Sequence, residues 1–209
     1  MARSALTFRR LSGLDRSGPA PPQTQPGAPL RPWTIPNAIG FVRLALIPVF
    51  LVLGLTSDDG TDALPAVLFA LVAWGDYADG IAARVTGQFS RFGALLDPVI
   101  DRLLIISGIV VCWAHELLPR WALAVLVARE LLMLVGGRYA LARGAELRIN
   151  WLGRWAVWPV MAAIFAGLVG WSTAGAVLLY LGLALSLAAT VEYVRTARGQ
   201  LRAARERKP

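Results

Sequence analysis

Four aspartates stand where an apolar chain can least accommodate them. Asp76 and Asp79 fall near the end of one long apolar segment, and Asp97 and Asp101 at the start of the next. An ionisable side chain inside or at the rim of a membrane-spanning helix costs about 3 kcal/mol or more unless it is paired or hydrated, so each is a functional candidate. On a helix the i, i+3 spacing of Asp76 and Asp79 puts both on one face, and the i, i+4 spacing of Asp97 and Asp101 does the same. A short turn between the two helices brings the pairs to the same depth. Four carboxylates aimed at one spot repel. They are stable together only with cations between them, or with some of them protonated. An oxygen-only ligand set selects Mg²⁺, Mn²⁺ or Ca²⁺ over zinc. Two carboxylate pairs suggest two metals, which suits a phosphoryl or pyrophosphate substrate.

The residues around these aspartates fit that chemistry. Gly75, Gly80, Ala82 and Ala83 strip bulk from the same segment, which permits close helix packing or close approach of a ligand to the backbone. Arg84, five residues after Asp79, has the reach and charge to meet a phosphate oxygen. Ser90 and Gly93 lie in the connecting turn. Pro98 biases Asp97 away from helical geometry unless the helix has only just begun, which weakens the same-face argument for Asp97 and Asp101.

Written as one pattern, the residues read Asp76-x-x-Asp79-Gly80-x-x-Ala83-Arg84, then eight residues, then Gly93-x-x-x-Asp97-x-x-x-Asp101. This resembles, at every fixed position, the signature of the CDP-alcohol phosphotransferase family. The resemblance covers about Trp33 to Arg198. It implies that Asp76, Asp79, Asp97 and Asp101 bind two divalent cations, Mg²⁺ or Mn²⁺, that hold the pyrophosphate of a CDP-linked lipid. It implies that Asp101 is also the general base on the acceptor hydroxyl. Gly80, Ala83 and Arg84, with Ser90 and Gly93, would line the cytidine diphosphate pocket. The product would be a phosphodiester lipid, with CMP released. The chemistry asks for these parts, because a weak alcohol nucleophile needs a base and an anionic phosphorus needs compensating charge.

The elements that must position this set are apolar helices. Of 209 residues, 56% are hydrophobic and only 16% charged, against roughly 25% charged in an ordinary soluble domain. Mean hydropathy is +0.57. The single histidine and single cysteine, His115 and Cys112, exclude an internal disulfide and a His/Cys zinc cluster. Six apolar segments follow Trp33, approximately Ile35–Leu55, Ala63–Val85, Ala94–Trp113, Leu118–Leu141, Trp151–Gly170 and Ala174–Val194. Each is near the roughly 20 residues that cross a bilayer core. The expected fold is an all-α integral membrane protein with six transmembrane helices. Residues 1–32 are expected to form a disordered, basic, Pro-rich tail, residues 33–198 the membrane domain, and residues 199–209 a basic C-terminal tail that continues the last helix. Arg9-Arg10 is not followed by the apolar run that a cleaved export signal needs.

Net charge is +8, and its distribution orients the bundle. Asp58, Asp59 and Asp62 mark one side, read as solvated loop charge. The basic tails, Arg84, Arg91, Arg143, Arg148 and Arg154 mark the other, which the positive-inside rule makes cytoplasmic. Both termini and the aspartate cluster then face the cytoplasm, in a multi-pass plasma-membrane protein. The basic balance reads as membrane orientation and not as a nucleic-acid footprint. Trp33, Trp151 and Trp155 near inner ends, and Trp113, Trp121 and Trp171 near outer ends, form an aromatic belt.

Segment one adds Ile35-Pro36-Asn37 and Arg43, which resemble the first helix of bacterial family members that make phosphatidylglycerol phosphate or cardiolipin. Asn37 suits either a nucleotide contact or a helix cap. Arg43, two turns into an apolar helix, should face the interior, in a functional or a pairing role. Arg129-Glu130, Arg138 and Asn150-Trp151-x-Gly153-Arg154 resemble the stretch found in glycerol-3-phosphate-using members. Those arginines suit either an acceptor phosphate or pairing within the bundle. Adjacent residues diverge on a helix, so Arg129 and Glu130 are not expected to pair. The implied reaction joins CDP-diacylglycerol to glycerol-3-phosphate. Phosphatidylglycerol, as in a cardiolipin synthase, and then inositol phosphate are the next acceptors. The family resemblance also implies a homodimer. A reading of another class is a transporter with an acidic cation site. Against it stand the position of the aspartates at a helix end and the absence of internal repeats.

Overall fold

The structure, a computed structural model, describes residues 27–142 and 151–206. Among these residues every regular element is a helix: α1 (Ile35–Thr56), α2 (Ala63–Thr86), α3 (Arg91–Ala114), α4 (Arg120–Ala142), α5 (Trp151–Leu168) and α6 (Ser172–Glu206). Each expected apolar segment corresponds to one helix. Three of them, α1, α2 and residues Ser172–Thr196 of α6, are long and apolar enough to cross a membrane. In α3 and α4 the apolar run is interrupted by Asp97, Asp101 and Arg102, and by Arg129 and Glu130. Most of the N-terminal tail, the residues 143–150 that hold Arg143, Arg148 and Asn150, and residues 207–209 lie outside the described residues.

The exterior is suited to lipid. Val42, Val52, Leu64, Leu71, Trp74, Leu132, Val135, Trp158, Val177 and Leu181 are all exposed, while Asn37, Arg43, Asp79, Ser90, Ser107, Ser186 and Thr190 are buried. A water-soluble protein arranges these classes the other way round.

The described chain forms two compact units. The first holds α1, α2 and α3 as far as Gly108; the second holds the Ser57–Asp62 loop, the rest of α3, and α4 to α6. In the first unit α1 packs on α2. Its core is Ile47, Phe50, Phe69, Val72, Ile100 and Leu104, with the Phe50 and Phe69 rings 5.5 Å apart. Gly40 lets α3 approach: a Cβ there would sit 3.2 Å from Leu96. In the second unit α6 packs on α5 and α4. At Gly182 a Cβ would stand 2.7 Å from the Val160 side chain and 3.0 Å from its backbone nitrogen. Small residues at such crossings let backbones approach and gain dispersion contacts, which matters where lipid removes the hydrophobic drive between helices.

Helix ends follow local chemistry. Thr34, not Asn37, caps α1: its Oγ1 accepts the Asn37 backbone N–H at 3.3 Å. Pro36 then sits in the first turn, where a missing N–H costs nothing. Gly87 ends α2 in the left-handed region at φ 68°, open to glycine without strain. Ser90 caps α3 by accepting the Gly93 N–H at 2.9 Å, so the helix starts at Arg91, earlier than hydropathy indicates. α6 runs unbroken for 35 residues, roughly 52 Å at 1.5 Å per residue, and carries the basic C-terminal stretch as a helix as far as Glu206.

Candidate active site

α2 and α3 carry the aspartates, and α1 supplies what gathers them. Asp79 lies one turn after Asp76 on α2, and Asp101 one turn after Asp97 on α3. Pro98 does not break this register. It forfeits a bond to the Ala94 carbonyl, but the Ser90 cap before it and buried Ile100 and Leu104 after it hold α3 continuous. Asp97 is therefore helical and shares the face of Asp101.

Arg43 occupies the centre. It is 2% exposed. Its Nη1 donates to Asp79 Oδ2 at 2.7 Å and lies 3.6 Å from Asp76 Oδ1, while Nη2 donates to Asp101 Oδ1 at 3.0 Å. Its Nε donates to the Val72 carbonyl at 2.9 Å, which fixes the plane of the guanidinium. Asp97 lies within electrostatic range of Asp76, Asp79, Asp101 and Arg43. The arginine side chain passes over Gly75, where a Cβ would be 2.6 Å from Arg43 Cδ. Gly75 is thus a corridor for Arg43. The sequence marks Arg43 only as a charge in an apolar helix; nothing in its spacing says that its partners lie on two other helices.

A second cluster ties the α2–α3 turn to the start of α1. Ser90 Oγ donates to Asn37 Oδ1 at 3.1 Å, and Asn37 Nδ2 donates to the Arg31 and Pro32 carbonyls. The Phe92 N–H donates to the Leu30 carbonyl, and the Ile35 N–H to Gln88 Oε1. Gly93 sits against this knot: a Cβ there would stand 2.5 Å from Asn37 Oδ1. Ser90 and Gly93 are thus a cap and a close approach. On α2, the Arg84 guanidinium lies over Gly80, 3.4 Å from where its Cβ would be, and Ala83 precedes it half-buried.

Among the described residues no three carboxylates, histidines or cysteines stand close enough together to hold a metal ion. Like charges separate, and the guanidinium takes the middle. The donor set nevertheless fits a hard divalent cation: every candidate ligand is a carboxylate, and the Asp76 and Asp101 side chains are 52% and 38% exposed, open to an arriving ion.

Residues 33–188 match the CDP-alcohol phosphatidyltransferase family. The chain belongs to this family. All four aspartates, Asn37 and Arg43 fall inside the matched stretch. The chain is 36% identical over 160 residues to a CMP-forming cardiolipin synthase of Streptomyces coelicolor, covering 68% of this chain and 74% of that protein. It is 31% identical over 147 residues to a CDP-diacylglycerol–glycerol-3-phosphate 3-phosphatidyltransferase of Bacillus subtilis, covering 64% and 76%. A CDP-alcohol phosphatidyltransferase is a phospholipid-synthesising enzyme, and the transporter reading falls away.

In the second unit Arg129 behaves as a paired bundle residue. Its Nε donates to Thr190 Oγ1 at 2.9 Å, and Nη1 contacts Glu130. The expectation that Arg129 and Glu130 would not pair is corrected. Their Cβ atoms diverge, but two long side chains curl back to each other in a partly buried setting, 13% and 29% exposed. The side chains of Arg138 and Arg154 lie outside the described residues.

Proposed function

We propose that the chain transfers the phosphatidyl group of CDP-diacylglycerol to the hydroxyl of glycerol-3-phosphate, releasing CMP. The observation that carries this reading is the convergence of Asp76, Asp79 and Asp101 on one guanidinium, within the stretch that matches the family. Asp76, Asp79, Asp97 and Asp101 would hold two divalent cations, Mg²⁺ or Mn²⁺. Bound there, the cations would supply compensating charge for the pyrophosphate. Asp101 is the general base. Arg43 engages its Oδ1, which leaves Oδ2 as the oxygen that takes the acceptor's proton. The alcohol oxygen then bonds to the phosphatidyl phosphorus, the bond from that phosphorus to CMP breaks, and its electron pair leaves with CMP. Arg84, beside Gly80 and Ala83, meets the anionic diphosphate. The Asn37–Ser90–Gly93 knot sets the position of the α2–α3 turn that borders the nucleotide.

The six helices are read as six spans of the plasma membrane, with both termini and the aspartates on the cytoplasmic side. The positive-inside distribution supports this. A lipid substrate then enters sideways while a polar acceptor arrives from water. A homodimer is part of the same reading, and cross-linking in membranes reads it out.

The likeness to the Streptomyces coelicolor protein favours one second reading, phosphatidylglycerol as acceptor with cardiolipin as product. Purified protein is given CDP-diacylglycerol and Mg²⁺, with glycerol-3-phosphate, phosphatidylglycerol or inositol phosphate offered separately, and lipid products are resolved. Product from glycerol-3-phosphate is expected. Product from phosphatidylglycerol alone would establish the second reading.

A further inference from the structure

We propose that Arg43 is a built-in counter-charge of the aspartate cluster, a positioning residue that holds Asp79 and Asp101 in place before divalent cations bind and weakens the cluster's hold on those cations. The inference rests on the proposed cation role of the four aspartates.

Three observations carry it. The guanidinium bridges two helices, with Nη1 on Asp79 of α2 and Nη2 on Asp101 of α3. It cannot lose its proton, so its charge is permanent. It is also locked: Nε is held by the Val72 carbonyl, the side chain is 3% exposed, and the Gly75 corridor fits its methylenes closely. To leave this place Arg43 would have to break its bonds to Val72, Asp79 and Asp101 together.

The charge balance gives the consequence. Four carboxylates stand around one guanidinium, three of them within 3.6 Å of it, so the cluster attracts divalent ions, but less than the carboxylates alone would. Any ion bound among these aspartates would share them with a fixed positive charge that lies 2.7 Å from Asp79, 3.0 Å from Asp101 and 3.6 Å from Asp76. At an effective dielectric near 20, that repulsion changes affinity by about tenfold or more. Without the arginine, Asp79 would be a buried carboxylate with its counter-charge removed, which destabilises the protein until a cation replaces it.

The test uses Mn²⁺ alone as probe, on the full chain in detergent, with no nucleotide or lipid substrate. Bound Mn²⁺ is read by electron paramagnetic resonance, and unfolding by thermal melting with and without Mn²⁺. In Arg43→Gln, the melting temperature without metal should fall by about 5 °C or more. Mn²⁺ should restore most of that loss and bind about tenfold or more tightly than in the wild type. Arg43→Lys keeps the charge and should bind Mn²⁺ within about threefold of the wild type. Mn²⁺ binding no tighter in Arg43→Gln than in the wild type would overturn the proposal. If Arg43→Gln is recovered only when Mn²⁺ is present throughout, the counter-charge role stands; failure to fold even then makes Arg43 purely structural and overturns it. A wild type that binds no Mn²⁺ overturns the cation reading of the aspartates itself, an outcome distinct from the failure of Arg43's role alone.

Discussion

Asp101 accepts from Arg43 through Oδ1, and in the proposed reaction its Oδ2 takes the acceptor's proton. Asp101→Asn keeps the size and one acceptor oxygen but cannot take a proton. CMP release should fall by about 10²- to 10⁴-fold, the usual contribution of a general base, with the protein still recovered in membranes. Turnover near the wild-type rate would remove Asp101 from that role. Gly75→Ala tests the corridor: a methyl would overlap Arg43 Cδ, whose position Val72 and two aspartates fix. The expected loss is about 1–3 kcal/mol of stability, measured by thermal melting in detergent. The four aspartates were legible because carboxylates are costly in apolar segments and their spacing is helical. Arg43's centrality was not, because an ion pair across three helices depends on how they pack. Asn37 shows the same limit. Its side chain spans two segments 53 residues apart through Ser90, while Thr34 takes the cap.

The elements were legible almost to their ends, since long apolar runs leave little choice but helix. The main differences have local causes. Ser90 starts α3 at Arg91, and Pro98 is absorbed because the turns on either side are anchored. Ser90→Ala should remove the cap and its bond to Asn37, costing about 0.5–2 kcal/mol in thermal melting. In the second unit, Gly182→Ala would press a methyl against the Val160 side chain and backbone. Backbone cannot step aside as a side chain can, so this change should cost about 1–3 kcal/mol, read by the same melting. Gly136, with nothing among the described residues within 4 Å of its Cβ position, is the control that should tolerate alanine.

At the scale of the molecule, charge distribution sets the expected orientation. Buried Cys112 gives a quiet background for labelling. Asp58→Cys, in the exposed loop between α1 and α2, should react with an impermeant maleimide on intact cells. Gly199→Cys, exposed on the basic end of α6, should react only after the cells are opened. The reverse pattern would invert the topology. Hydropathy and loop charge made six apolar segments legible. Three helices are long and apolar enough to cross a membrane; how the charged faces of α3 and α4 are covered depends on packing, which a one-dimensional apolar count does not contain. We propose that the aspartates of α2 and α3 carry cation-dependent phosphatidyl transfer. The most direct measurement is CMP release from CDP-diacylglycerol by the purified protein, with glycerol-3-phosphate, in Mg²⁺ and in excess EDTA. Release in Mg²⁺ that stops with EDTA, and is absent in Asp79→Asn at any Mg²⁺ concentration, is the predicted result. Undiminished release in EDTA, or from Asp79→Asn, would contradict it.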